Sequence, residues 1–198
     1  MSTPLSDYYR ELQEREGNEV LDLIAAWDAN VIEEIIGDFR AAVVASQITN
    51  QVVTIRPGST NQSIGNQVAD FFAGRFPSFL AAYDFQKCAG AGYPDKVLVR
   101  RQGRQSYPLE LKATSGWDDS DSNRRVLTSS SRKLRDRFHP PINHLLTTIL
   151  YAQRGNDWFI NALRLDFVGP DTLVNIRLEA SVSHRLLAEA THPNFLIP

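Results

Sequence analysis

Asp95, Glu110 and Lys112 are the residues of this chain whose types and spacing can do chemistry. Two carboxylates can hold a hard divalent cation such as Mg²⁺ and leave positions open for water and phosphate. A lysine beside them can pair with a phosphate oxygen or help to activate an attacking water. The combination suits metal-assisted hydrolysis of a phosphodiester.

Local structure must bring these residues together. Asp95 opens the run Lys96-Val97-Leu98-Val99-Arg100-Arg101, a turn follows at Gln102-Gly103-Arg104-Gln105, and the chain returns as Tyr107-Pro108-Leu109-Glu110-Leu111-Lys112-Ala113. Two β-rich runs around a short Gly-containing turn predict a hairpin. Alternate residues of a strand share a face, so Glu110 and Lys112 point one way and Leu111 the other. In simple register, Asp95 at the start of the first strand lies near Glu110. A surface hairpin carrying an ion pair is the competing description. Against it, Leu109, Leu111 and Val97-Leu98-Val99 are apolar enough for sheet core, and a Glu and a Lys on such a strand need a reason to be there.

Pro94-Asp95, a spacer and Glu110-x-Lys112 resemble the signature of the PD-(D/E)XK nucleases, a superfamily that includes most type II restriction endonucleases and several repair and recombination nucleases. The resemblance implies Mg²⁺ as cofactor, Asp95 and Glu110 as its ligands, the Leu111 backbone carbonyl as a further ligand and Lys112 as the catalytic lysine. Members often carry a third acid on a helix before the first strand, and Asp70 is the candidate here, with Asp84 a weaker alternative. The implied fold is α/β: a restriction-endonuclease-like core in which a central mixed β-sheet is flanked by helices in the order αβββαβ, here with an N-terminal helical extension. Beyond the motif, the resemblance covers the order of elements from about Ile64 to Leu178. A homodimer acting on double-stranded DNA is implied, as is a cognate DNA methyltransferase acting on the same site without binding this protein.

At 198 residues the chain suits a single domain, 1–198, with a helical N-terminal part (1–60), a catalytic core (64–178) and a basic DNA-facing arm (114–137). Cys88 is the sole cysteine, so an intrachain disulfide is excluded and a reducing cytoplasm is expected. No apolar run reaches membrane-spanning length, and the first residues lack the pattern of a signal peptide. Residues 1–95 hold 6 Lys and Arg against 13 Asp and Glu, whereas residues 96–137 hold 11 against 5. The basic block begins beside Asp95 and contains Glu110 and Lys112, so a polyanion should dock there. Candidate DNA contacts are Arg101, Arg104, Arg124, Arg125, Arg132, Lys133, Arg135 and Arg137. Most should touch phosphates rather than bases.

Periodicity predicts a helix over residues 5–16 and a helix or helix pair from Val20 to Phe39, with a break at Asp28 and Asn30. The polar, turn-rich stretch 46–63 supplies Gln47, Asn50, Gln51, Asn61 and Gln62, side chains able to read adenine edges. A helix over 64–76 ended by Pro77, a strand over 79–87 and a flexible turn at Gly90-Ala91-Gly92 follow. Residues 114–131 are polar and long enough to be an arm that orders on DNA. A helix is expected over 142–153, strands over 158–168 and 172–178, and a last helix over 181–190. Two other readings stay open at this point: a nuclease that recognises DNA structure in repair or recombination, and a non-catalytic DNA-binding protein.

Overall fold

The computed structural model describes residues 2–88, 93–103, 105–116, 126–127, 130–178, 184–188 and 194–198. In chain order the elements are β1 (Thr3–Pro4), α1 (Leu5–Arg15), α2 (Ala29–Ser46), β2 (Val52–Val53), α3 (Asn61–Arg75), β3 (Tyr83–Lys87), β4 (Lys96–Arg100), β5 (Ser106–Thr114), β6 (Val126–Leu127), α4 (Ser131–Arg137), β7 (His144–Arg154), β8 (Asp157–Val168), β9 (Leu173–Leu178), β10 (His184–Ala188) and β11 (Asn194–Ile197). The result is a mixed α/β structure. A seven-stranded mixed sheet runs β11-β8-β7-β5-β4-β3, with β2 also on β8, and a four-stranded sheet runs β1-β9-β10-β6.

The hairpin β4–β5 closes as its sequence predicts. Gly103 takes a positive φ of 124° in the turn, a conformation open to glycine, and the Arg100 amide donates to the Gln105 carbonyl at 3.0 Å. β4 pairs antiparallel with β5, Lys96 opposite Leu109 and Leu98 opposite Tyr107. β5 then pairs parallel with β7, and β7 antiparallel with β8.

Two cores lie on the two faces of this sheet. Leu109, Leu111, Leu145, Ile149, Leu163 and Leu165 join Ile35, Phe39, Ile64, Val68 and Phe72 of α2 and α3 in the larger one. The other face meets α1, α4 and the smaller sheet through Tyr8, Tyr9, Tyr93, Leu134, Ile142, Val168 and Val174. α2 also ties down the hairpin. Asp38 is buried and accepts the amides of Ala81, Ala82 and Tyr83 at 2.8–3.1 Å, fixing the start of β3. Glu34 pairs with Arg100 of β4 at 2.8 Å.

Three expectations are corrected. Residues 142–153 form no helix: β7 occupies 144–154. His144, Leu146 and Thr148 are buried on one side of it and Leu145, Thr147 and Ile149 on the other. A strand covered on both faces has a nearly continuous apolar run that mimics helical spacing, and Thr147-Thr148-Ile149 is β-branched throughout. The stretch 181–190, also expected helical, contains strand β10. Its five-residue antiparallel pairing with β9 supplies the backbone hydrogen bonds a helix would otherwise make. The apolar spacing from Val20 to Trp27 belongs to extended chain, which bridges Ile24 to Ile142. Helix α2 starts only at Ala29, where the Asp28 side chain accepts the Asn30 amide at 2.8 Å as its N-cap.

Among the described residues no helix is long and apolar enough to cross a membrane.

Candidate active site

Extending the β4–β5 register by one residue past Lys96 and Leu109 sets Asp95 opposite Glu110. The contacts agree. The Asp95 amide donates to Glu110 Oε2 at 3.3 Å, and the Leu111 amide donates to Asp95 Oδ2 at 2.9 Å. Lys112 Nζ meets Glu110 Oε1 at 2.5 Å. Two carboxylates and one ammonium therefore gather where the hairpin ends. Glu110 and Lys112 stand on one face of β5 while Leu111 enters the larger core behind them.

Asp95 is exposed and Glu110 is buried. Burial raises the Glu110 carboxyl above the usual range. The Lys112 ammonium opposes that rise and the Asp95 charge adds to it. A desolvated carboxylate facing a second carboxylate gains most from a cation held between them. The Leu111 carbonyl leaves β5 on the same edge as its amide, which points at Asp95, and it lies beyond the last β4–β5 pair. The donor set is all oxygen, with an exposed side for water and phosphate, and it fits Mg²⁺. Among the described residues, no group of three or more His, Cys, Asp and Glu is placed to share a metal ion, and the carboxylates they bring together here are Asp95 and Glu110.

Asp70 does not join them. It is exposed on α3, whose Ile64, Val68 and Phe72 pack on the Leu111 side of the sheet, opposite to Glu110. Asp84 shares the Glu110 face but stands in the row of Val99 and Ser106, four residues along β5 from Glu110, or about 13 Å.

The expected DNA contacts divide. Arg101 sits at the turn end of the hairpin, roughly 20 Å from Asp95 at strand spacing, where it approaches Asp84 at 3.9 Å. Arg135 turns inward: its Nη1 donates to the Glu19 carbonyl at 2.9 Å and to Gln13 at 3.3 Å, clamping α4 against the N-terminal segment. Arg132 and Lys133 are exposed, and Arg132 pairs with Asp136 one turn on at 3.1 Å. Arg137 ends α4. Arg104, Arg124 and Arg125, the turn at Gly90-Ala91-Gly92 and residues 117–125 and 128–129 of the expected arm lie outside the described residues. Of the amides in 46–63, Gln51 is committed to the Ser46 carbonyl and Arg75, while Asn50, Asn61 and Gln62 are exposed.

Sequence reasoning missed Tyr93 and His144 as parts of this site. Tyr93 is buried in the same core as Tyr9 of α1, its hydroxyl hydrogen-bonds His144 Nδ1, and the Tyr93 and His144 rings stack with centroids 5.2 Å apart. Burial first, then Tyr9 and Glu110, raise the Tyr93 phenol well above its usual value. His144 occupies β7 one position before Leu145, the partner of Leu109, and so neighbours Glu110 diagonally on the same face. Its fifty-one-residue separation from Tyr93 carries no signal in the sequence.

The chain matches no protein-family model, no curated protein and no solved structure.

Proposed function

We propose that this protein is a Mg²⁺-dependent, site-specific double-strand DNA endonuclease of the type II restriction kind. The observation that carries the reading is the convergence of Asp95, Glu110 and Lys112 at the end of one hairpin. The order of elements supports it in part: α3, β3, β4, β5, α4 and β7 follow the order helix, three strands, helix, strand of the PD-(D/E)XK core, with the two-residue β6 between β5 and α4 and with α4, not residues 142–153, as the second helix. The basic composition of residues 96–137 supplies attraction for a polyanion, with Arg132 and Lys133 of α4 exposed.

In this reading Asp95, Glu110 and the Leu111 carbonyl would hold Mg²⁺. Bound Mg²⁺ supplies Lewis acidity to the phosphate and acidifies water. Lys112 orients the attacking water and pairs with a phosphate oxygen, and its ion pair with Glu110 keeps the ammonium on the reactive side of β5. The water oxygen bonds to phosphorus and the bond to O3′ breaks. The leaving oxygen gains a proton as the 3′-hydroxyl, and the phosphate remains on the 5′ end. Cutting both strands of a symmetric site needs two such centres, so the working unit is a homodimer.

The test is incubation with unmethylated plasmid and phage DNA, with Mg²⁺ and with EDTA. Discrete fragments bearing 5′-phosphates, formed only with Mg²⁺ and lost in Asp95→Ala, are expected. Cleavage confined to branched or damaged DNA replaces restriction by a repair role. DNA binding without cleavage of any substrate overturns the enzymatic reading.

A further inference from the structure

Asp95 lies just before β4, whose first residue Lys96 pairs with Lys87 and Leu109. On its other side the nearest buried residue with a hydrogen-bonding side chain is Tyr93, two residues away. That residue is 8 % exposed in the core it shares with Tyr9 of α1, its ring stacks on His144 of β7, and its hydroxyl bonds His144 Nδ1. β7 pairs directly with β5, so His144 is fixed in the same frame as Glu110. A phenol is protonated at neutral pH and can donate this hydrogen bond, leaving a neutral imidazole as acceptor. The Tyr93 hydroxyl thus links the residues before β4 to the central strand two places away, and Asp95 follows Tyr93 by two residues.

We propose that Tyr93 and His144 are positioning residues: their hydrogen bond fixes Asp95 against Glu110 before any cation arrives. The functional part of this inference rests on Asp95 and Glu110 being metal ligands. The geometric part does not, because the Leu111 amide reports directly on Asp95. That amide faces away from β7, lies beyond the β4–β5 ladder and donates to Asp95 Oδ2 at 2.9 Å. Partners that orient metal ligands commonly carry 10- to 100-fold in metal affinity.

The experiment is residue-resolved amide hydrogen exchange on the full-length wild type, Tyr93→Phe, His144→Ala, His144→Asn and Asp95→Ala, followed by Mg²⁺ titration calorimetry on the same proteins. Tyr93→Phe keeps the ring, and His144→Asn keeps an acceptor near Nδ1, so loss of the hydrogen bond is separated from loss of packing. Expected is Leu111 exchange accelerated about tenfold or more in Tyr93→Phe and His144→Ala, approaching Asp95→Ala, with Leu109 still protected and His144→Asn largely restored. Mg²⁺ affinity should fall about 10- to 100-fold in the same two variants and recover in His144→Asn. Unchanged Leu111 protection in both Tyr93→Phe and His144→Ala overturns the positioning role, whatever the wild type does with Mg²⁺. If Leu111 behaves as expected but the wild type binds no Mg²⁺, positioning stands and the nuclease reading falls.

Discussion

β5 carries Glu110-Leu111-Lys112 and β8 carries Arg164-Leu165-Asp166, each an acid and a base two residues apart, in opposite order. The register sets them side by side. Glu110, Leu146 and Asp166 form one row across β5, β7 and β8, and Lys112, Thr148 and Arg164 the next, so the two pairs are about 10 Å apart on one face. Both are ion pairs, at 2.5 Å and 3.0 Å. They differ in surroundings. Asp166 is 1 % exposed beneath the second core, whereas Glu110 is 10 % exposed at the end of a hairpin where Asp95 arrives from β4. An acid-x-base strand motif is therefore a structural ion pair by itself, and a second carboxylate with access to solvent is what turns it into a candidate metal centre.

Changes at the site of the first pair should produce the largest change in cleavage. Asp95→Ala should abolish it, and Lys112→Ala should lower it on the order of 10²- to 10⁴-fold, both proteins remaining folded by circular dichroism. Breaking the second pair should act on stability instead. Asp166→Asn leaves the Arg164 guanidinium buried without its carboxylate, which costs about 3–5 kcal/mol in denaturant titration, while cleavage per folded molecule stays near wild type.

A pH series sharpens the contrast. Burial raises the Glu110 pKa in the folded protein, so the folded state holds that proton more tightly than the unfolded chain. Stability from this group is fully present below the ordinary glutamate value and is lost as pH rises from there through the raised value. Thermal melts without metal should show that loss in the wild type and lack it in Glu110→Gln, with Mg²⁺ restoring stability only to the wild type. The smallest effect belongs to Asp70→Ala: an exposed side chain on the other face should change stability within about 0.5 kcal/mol and leave cleavage intact.

The hairpin was legible because its signals are local: Gly103 marks the turn, and period-two alternation assigns Glu110 and Lys112 to one face. Even the pairing of Asp95 with Glu110 follows from counting back from that turn. β7 was illegible because its burial on both faces erases the alternation that marks a strand. Asp70 was a family expectation that no spacing could test, since which face of a sheet a helix covers is a tertiary fact. The inward turn of Arg135 and the Tyr93–His144 bond escaped for the same reason: each joins segments distant in sequence through groups that look ordinary there.

Calorimetric titration of Mg²⁺ into the wild type, Asp95→Ala and Asp166→Asn tests the central claim most directly. The account predicts binding by the wild type and by folded Asp166→Asn, and none by Asp95→Ala. Equal binding by Asp95→Ala and the wild type would contradict it.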